Sequence, residues 1–253
     1  HLLLSHGEAV PILRAVTRRP IQVGITLNLQ PVHPAGSRAE DQQAAGRMDL
    51  MLNRWYLDPV FRAAYPPEAV NILGPLMPVT QPDDLARIAV PVDFLGVNYY
   101  SRLVVRDNPN VPLLQAEPIR PEGSEYSLMW EVYPAGLREL LQRLQQDYHP
   151  PAILITENGI PLDDAPDAQG QVLDPARISY LRRHLAEVHH VLEEGIPVRG
   201  YFVWSFLDNF EWALGYQMRF GLVYVDFATQ KRIPKASARW FHPVVRAGSV
   251  SDG

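Results

Sequence analysis

A short apolar segment at residues 152–159, Ala-Ile-Leu-Ile-Thr-Glu-Asn-Gly, constrains the fold more than any other part of the sequence. The run is too short for a helix and lacks the alternation of a half-exposed strand. It is typical of a parallel strand buried on both faces. Gly159 ends the strand and leaves Glu157 at its carboxyl end, where parallel α/β sheets place their chemistry. For one strand alone, a polar residue that only marks the strand end is the simpler interpretation.

Similar apolar segments alternate with helical patterns along the chain. We predict strands over residues 21–28, 93–100, 152–157 and 198–205, helices over 1–17, 37–59, 134–148, 174–194 and 235–241, and a helical turn over 83–88. Residues 65–75 are predicted to be extended, and residues 106–129 to form a long loop. This alternation predicts a parallel sheet. The length of 253 residues suits a whole (β/α)8 barrel, but the predicted strands supply only half of its eight. We therefore predict a single α/β region, residues 1–253, that forms part of a barrel.

Composition excludes several classes of protein and site. The net charge of −5, with no basic cluster, does not suggest binding to nucleic acid or to a membrane surface. The absence of cysteine excludes disulfides and thiolate metal sites. No signal peptide or bilayer-length apolar run is recognisable, so a cytoplasmic location is expected. His184, His189 and His190 are expected to be solvated helix residues, and no metal or cofactor is predicted.

Polar and aromatic residues follow the predicted strands. They are Asn98, Tyr100, Glu157, Trp204, Glu211 and Trp212. If the strands are parallel, these side chains converge on one face of the sheet. Indole rings stack on the apolar faces of sugars, carboxylates accept hydrogen bonds from hydroxyls, and a glutamate at the ring carbon can act as a nucleophile. The set predicts a carbohydrate site.

The motifs around these residues resemble those of glycoside hydrolase family 1, the β-glucosidase family. Thr156-Glu157-Asn158-Gly159 resembles the nucleophile motif of the family. Further matching segments are residues 94–100, 130–134, 208–216 and 219–222, in the family's order. The resemblance covers nearly the whole chain and implies the C-terminal half of the barrel, about strands 5–8.

The resemblance implies a role for each site residue. Glu157 would be the nucleophile, and Tyr100 would donate a hydrogen bond that keeps it ionised. The expected sugar contacts are Asn98 beside the 2-hydroxyl, Trp212 at the 3-hydroxyl, Glu211 at the 4- and 6-hydroxyls, Trp204 under the ring, Phe220 lining the pocket and Trp130 at the aglycone. Ordinary core filling remains the alternative for Tyr100, Phe220 and the tryptophans.

One half of the catalytic pair is missing from the sequence. The family's acid/base glutamate lies in an Asn-Glu-Pro motif, and no such motif occurs in this chain. The nearest match ends in Gln30-Pro31, and Gln30 cannot donate a catalytic proton. Because retaining hydrolysis needs two carboxyl groups, we expect a β-glucosidase fragment that is inactive alone.

The expected substrate is an unphosphorylated β-glucoside or β-galactoside, since Glu211 would repel a 6-phosphate. The chain begins with a helical pattern that has no cap and no starting methionine, as expected of part of a longer protein. Its expected partner is the missing N-terminal half. The alternative is a non-catalytic half-barrel that binds sugar, or that pairs with a second copy through exposed strand edges.

Overall fold

A parallel sheet lies at the centre of the computed structural model, which describes residues 1–250. The helices are α1 (Leu2–Val16), α2 (Ala39–Asp49), α3 (Trp55–Arg62), α4 (Pro67–Leu73), α5 (Asp84–Ile88), α6 (Ala135–Tyr148), α7 (Pro175–Glu193) and α8 (Ala236–Ala247). The strands are β1 (Gly24–Asn28), β2 (Val32–Pro34), β3 (Phe94–Asn98), β4 (Leu103–Asp107), β5 (Ala116–Ile119), β6 (Ile153–Glu157), β7 (Val198–Tyr201), β8 (Val223–Val225) and β9 (Arg232–Pro234). In the central sheet β1, β3, β6 and β7 lie side by side in that order, and all are parallel.

The main core lies between this sheet and the helices on one of its faces. Leu95 and Val97 of β3, and Ile153 and Ile155 of β6, are completely buried. Leucines of α6 and valines of α7 belong to the same hydrophobic cluster. Burial on this scale explains why β3 and β6 have largely apolar rather than alternating sequences. Because the strands are parallel, their carboxyl ends all lie at one edge of the sheet.

The four predicted parallel strands are confirmed, although each is shorter than its predicted segment. Helix α7 lies within one residue of its predicted bounds at each end. Asp174 precedes it, Pro175 is its first residue, and Gly195 follows it with a φ of 81°. A positive φ at this position is why glycine ends the helix.

The prediction for residues 37–59 is wrong at both ends. The residue before α2 is Arg38 rather than Ser37, and helical backbone continues past Pro59 to Arg62. A π-helical turn, Leu50–Arg54, joins α2 directly to α3. Pro59 cannot donate a helical hydrogen bond, but it is buried, and packing sustains the helix where the sequence rule predicts an end.

Two segments predicted to lack regular structure contain it. Residues 65–75 include α4, and residues 106–129 include β5. The strands β2, β4 and β5 form a second sheet, which α2 covers through Ala44 and Ala45. These strands are short, β2 pairs with the distant β4, and β5 contains Pro118, so the local sequence does not predict them. The last helix, α8, also extends beyond the predicted residue 241.

The central sheet has two edges, β1 and β7, and neither has an outer partner in that sheet within residues 1–250. Aromatic side chains that follow β7 are solvent-exposed: Phe202 by 56% and Phe206 by 71%. Across the same residues, none of the helices is both long and apolar enough to cross a bilayer.

Candidate active site

The carboxyl ends of β3 and β6 bring an amide, a phenol and a carboxylate together. Asn98 ends β3 and pairs in register with Glu157, which ends β6. Tyr100 lies two residues beyond β3, and its hydroxyl donates a 2.5 Å hydrogen bond to Oε2 of Glu157. The Thr156 hydroxyl donates to Oδ1 of Asn98 at 2.7 Å. This bond leaves the NH2 group of Asn98 as the part that can donate to a ligand.

The Tyr100 hydroxyl keeps its proton at neutral pH. Burial raises the pKa of this phenol, and the hydrogen bond to Glu157 and the negative charges of Glu157 and Glu211 raise it further. A phenol has one hydrogen to donate, and here Glu157 receives it. The bond therefore orients the Glu157 carboxylate from a neighbouring strand.

Aromatic rings surround Tyr100. Its ring centroid lies 4.9 Å from that of Trp130 and 6.4 Å from that of Phe220, and the last two are 5.7 Å apart. Phe220 is only 4% exposed. The indole Nε1 of Trp130 is buried and lacks a hydrogen-bond partner within residues 1–250. The three rings form an apolar wall beside the Glu157 carboxylate.

A second carboxylate, Glu211, lies in the loop after β7. It is buried and accepts a 3.2 Å hydrogen bond from the indole Nε1 of Trp204. Burial raises the pKa of Glu211, the Trp204 bond opposes this shift, and the negative charge of Glu157 adds to it. Glu157 therefore lies near enough for its charge to act on Glu211.

Trp212 differs from the other predicted site residues because its side chain is open to solvent. It is 83% exposed and begins a single turn of 3-10 helix, Trp212–Leu214. The Glu211 amide donates to the Gly215 carbonyl at 2.7 Å and closes this turn. In this turn the Glu211 side chain is therefore buried, whereas the adjacent Trp212 indole faces solvent.

An ion pair fixes the segment that carries Trp130. The Arg102 guanidinium donates two 2.8 Å hydrogen bonds to the Glu131 carboxylate, and the Ser101 hydroxyl donates to the Glu131 carbonyl at 2.8 Å. Such a bidentate contact has little freedom to rotate. The loop after β3 thus positions the residue next to Trp130.

A buried charged cluster supports the loop that carries Glu211. Asp208 accepts hydrogen bonds from Arg219 at 2.7 Å, from Lys235 at 2.9 Å and from the Gly221 amide at 2.9 Å. Lys235 also donates to Asp164 at 2.5 Å. The sequence motif includes Asp208, but neither Lys235 nor Asp164 carries a local signal, because the contacts join distant segments.

Sequence reasoning also gave Asn158 no separate role. Asn158 follows Glu157 and is completely buried. Its side chain donates to the Tyr99 carbonyl at 2.8 Å and accepts from the Tyr201 hydroxyl at 2.5 Å. The residue thereby links the ends of β3, β6 and β7.

The expectation for the histidines of α7 is wrong in one case. His189 and His190 are largely exposed, as predicted, whereas His184 is completely buried. Burial lowers the pKa of His184 to about 3, and its ring stacks on Tyr180 with centroids 3.8 Å apart. In residues 1–250 no group of three or more His, Asp or Glu side chains is arranged to hold a metal ion.

Comparison with known proteins gives a consistent match. Residues 1–249 match the protein family described as Glycosyl hydrolase family 1. Beta-glucosidase A of Thermotoga maritima is 38% identical over 253 residues, which covers 100% of this chain and 56% of that protein. Thermostable beta-glucosidase B of Thermobispora bispora is 44% identical over 257 residues, covering 100% of this chain and 53% of that protein. The chain spans about half the length of the curated relatives it matches.

The structural comparison agrees with the sequence comparison. The solved structure of the family 1 β-glucosidase from Thermotoga maritima matches with a TM-score of 0.94 and 37% identity, over 99% of this chain and 56% of that one. The predicted α/β class with a parallel sheet is therefore confirmed, and the fold matches that of a (β/α)8 barrel enzyme over about half of its length.

Proposed function

The chain belongs to glycosyl hydrolase family 1, and we propose that it is the C-terminal half, about strands 5–8, of a retaining β-glucosidase barrel. In this proposal residues 1–253 form one partial barrel region. Four parallel strands in chain order support it, together with the 56% coverage of the matched enzyme. The observation that carries the catalytic proposal is the 2.5 Å hydrogen bond from Tyr100 to Glu157 at the carboxyl edge of the sheet.

Glu157 is the proposed nucleophile. Its carboxylate attacks the anomeric carbon of a β-glycoside, the bond from that carbon to the aglycone oxygen breaks, and a glycosyl-enzyme ester forms. Water then cleaves the ester and regenerates the carboxylate. Tyr100 holds the carboxylate in its attacking orientation, because its hydroxyl donates to one of the two oxygens.

The proposed sugar contacts lie around this nucleophile. The buried Glu211 accepts hydrogen bonds from the 4- and 6-hydroxyls, and the NH2 group of Asn98 donates to the 2-hydroxyl. The remaining proposed contacts are Trp204 under the sugar ring, Phe220 in the pocket wall, Trp212 at the 3-hydroxyl and Trp130 at the aglycone. An unphosphorylated β-glucoside or β-galactoside suits an anionic Glu211, which would repel a 6-phosphate.

The proton donor is not supplied by these 253 residues. No Asn-Glu-Pro sequence occurs in them, and Gln30 of the nearest match carries no acidic proton. Glu211 is assigned to the sugar hydroxyls, so the leaving oxygen has no acid from this chain. We therefore propose that the chain alone does not hydrolyse ordinary glycosides.

The unpaired edges of the central sheet support the proposal that another chain binds there. In the part of the chain that the structure describes, β1 and β7 each lack an outer strand in the central sheet, and the exposed Phe202 and Phe206 lie beyond β7. The proposed partner is the N-terminal part of a family 1 barrel. The alternative is a second copy of this chain, in a non-catalytic assembly that binds sugar.

Complementation tests the proposal. The chain is mixed with the part of Thermotoga maritima Beta-glucosidase A that it does not match, and hydrolysis of 4-nitrophenyl β-glucoside is followed. We expect activity in the mixture and in neither component alone, and its loss with Glu157→Gln. A stable homodimer of the chain that stays inactive in the mixture would favour the alternative.

A further inference from the structure

We propose that Tyr180, on helix α7, is a positioning residue for the Tyr100–Glu157 pair and acts through Asn158. This inference rests on the proposed role of Glu157 as the nucleophile. Tyr180 lies outside the strand-end motifs, and its hydroxyl does not contact Glu157. Its effect on catalysis is therefore indirect and depends on how the two strand ends are held together.

The pairing of β3 with β6 becomes irregular at their ends. The pairing register shifts between Val97 and Asn98, so the strands depart from regular geometry just before the site. Beyond the shift, the Tyr99 amide donates to the Glu157 carbonyl at 2.9 Å. Any further constraint on the Tyr100 and Glu157 side chains has to come from other groups.

Asn158 supplies part of this constraint, and both hydrogens of its side-chain amide are used within the protein. Its NH2 group donates to the Tyr99 carbonyl at 2.8 Å and to the Tyr180 hydroxyl at 3.0 Å. Its carbonyl oxygen accepts from the Tyr201 hydroxyl at 2.5 Å. Because both amide hydrogens are engaged, the orientation of the group is fixed and it has no hydrogen left for a sugar.

Tyr180 completes the link to Tyr100. Its hydroxyl accepts from Asn158 and donates to the Tyr100 carbonyl at 2.9 Å, so one oxygen joins the residue after Glu157 to the backbone of Tyr100. Tyr180 is 1% exposed, and its ring stacks on that of His184. Burial raises the pKa of this phenol well above its ordinary value, so the hydroxyl keeps the hydrogen that it donates.

Removal of this one oxygen leaves one Asn158 amide hydrogen and the partly buried Tyr100 carbonyl without that partner. That hydrogen and that carbonyl can find another protein partner only if the strand ends move. Tyr100 and Glu157 lie at those ends, so their relative orientation changes with them. A shift of about 1 Å in a reacting group can lower a rate by about a hundredfold.

The test separates the rate of the chemical step from binding. The full chain is incubated with 2,4-dinitrophenyl 2-deoxy-2-fluoro-β-glucoside. The Glu157 carboxylate forms a bond to the anomeric carbon, and the bond to the aryl oxygen breaks, releasing dinitrophenolate. This anion needs no proton, so the step does not depend on a general acid. The release rate at several concentrations yields a maximal rate constant and a half-saturation concentration.

Tyr180→Phe is compared with Tyr148→Phe, a matched control. Tyr148 is also a buried phenol, and it donates to Asp58 at 2.6 Å, away from the site. We expect Tyr180→Phe to lower the maximal rate constant about ten- to hundredfold, with a change in half-saturation of less than about threefold. Tyr148→Phe should change neither by more than about twofold. Equal maximal rate constants for the two variants would overturn the proposal.

A second measurement is independent of the reagent. Amide hydrogen exchange at Tyr99, which donates to Glu157, should accelerate in Tyr180→Phe more than in Tyr148→Phe. Unchanged exchange at Tyr99 would overturn the positioning role. If the wild-type chain forms no adduct, the proposed nucleophile fails, and the exchange result alone then decides whether Tyr180 holds the strand ends.

Discussion

The Tyr100 hydroxyl donates a 2.5 Å hydrogen bond to the Glu157 carboxylate across the ends of two adjacent parallel strands. The two residues are 57 positions apart in the chain. Their contact depends on the sheet, because β3 and β6 pair directly and both end at the same edge. The bond engages one of the two carboxylate oxygens, Oε2.

Substitution Tyr100→Phe removes this bond and keeps the ring. We expect the maximal rate of adduct formation with the fluoroglucoside to fall about ten- to hundredfold, because the carboxylate can then rotate. The contacts of the ring with Trp130 and Phe220 should persist, so half-saturation should change little. A wild-type rate in Tyr100→Phe would contradict the orienting role of the bond.

Glu211 is expected to make sugar binding sensitive to acid. Burial and the charge of Glu157 raise its pKa above the ordinary 4.5, so Glu211 loses its charge at a higher pH than an exposed glutamate. Affinity for a non-hydrolysable thioglucoside should therefore decline as the pH falls through this raised pKa. Calorimetric titrations between about pH 4 and pH 8 can follow the decline.

Glu157→Gln is the matched variant for this pH dependence. It removes one of the charges that raise the pKa of Glu211, so affinity should persist to lower pH than in the wild type. If the midpoint of the decline is the same in both proteins, the two carboxylates do not interact as the structure indicates.

Gly159 allows the ends of β6 and β7 to approach closely. A Cβ atom at this position would lie 1.8 Å from the Trp204 carbonyl oxygen. Gly159→Ala must therefore separate the strand ends and should lower the free energy of unfolding by about 1–3 kcal/mol or more in urea titrations.

Gly46→Ala provides the control for this substitution. Gly46 lies within α2, and an added Cβ would meet no atom within 4 Å. The substitution should raise the free energy of unfolding by up to about 1 kcal/mol, since alanine favours helix. If the two substitutions changed the free energy of unfolding similarly, the close contact at Gly159 would not be important for stability.

His184 should make the fold less stable in acid. Its pKa falls from 6.5 to about 3 in the folded protein, so below pH 6.5 the unfolded chain binds a proton that the folded chain does not. Stability should therefore fall as the pH drops from 6.5 towards 3, by about 4 to 5 kcal/mol in total from this residue. His184→Leu should remove this part of the pH dependence, which urea titrations at several pH values can measure. If the free energy of unfolding of His184→Leu depends on pH as steeply as that of the wild type, this prediction is wrong.

The sequence predicts the middle of the central sheet well because β3 and β6 are largely apolar runs. Ile153 and Ile155 are completely buried, and burial of this kind requires an apolar sequence that is easily recognised. The strands of the second sheet have no comparable sequence signal. Its strand β5 contains Pro118 and is recognisable only through its pairing with β4. The end of α3 is mispredicted because packing around Pro59 outweighs its local preference.

The sequence likewise reveals only some residues of the candidate site. Glu157, Tyr100 and Glu211 lie in local motifs that the sequence can reveal, and their roles remain predictions. Tyr180 looks like an ordinary core residue of an amphipathic helix. Its contacts with Tyr100 and Asn158 cross between elements that are distant in sequence, so only the folded arrangement reveals them.

The central claim is that this chain carries a glycosidase nucleophile, Glu157, without its proton donor. The most direct test is peptide mapping of the chain after reaction with the fluoroglucoside, with a parallel assay on methyl β-glucoside, whose leaving group needs a proton. We expect one covalent adduct on Glu157 and no hydrolysis of the methyl glycoside. An adduct on another residue, or methyl glucoside hydrolysis by the isolated chain that Glu157→Gln abolishes, would contradict it.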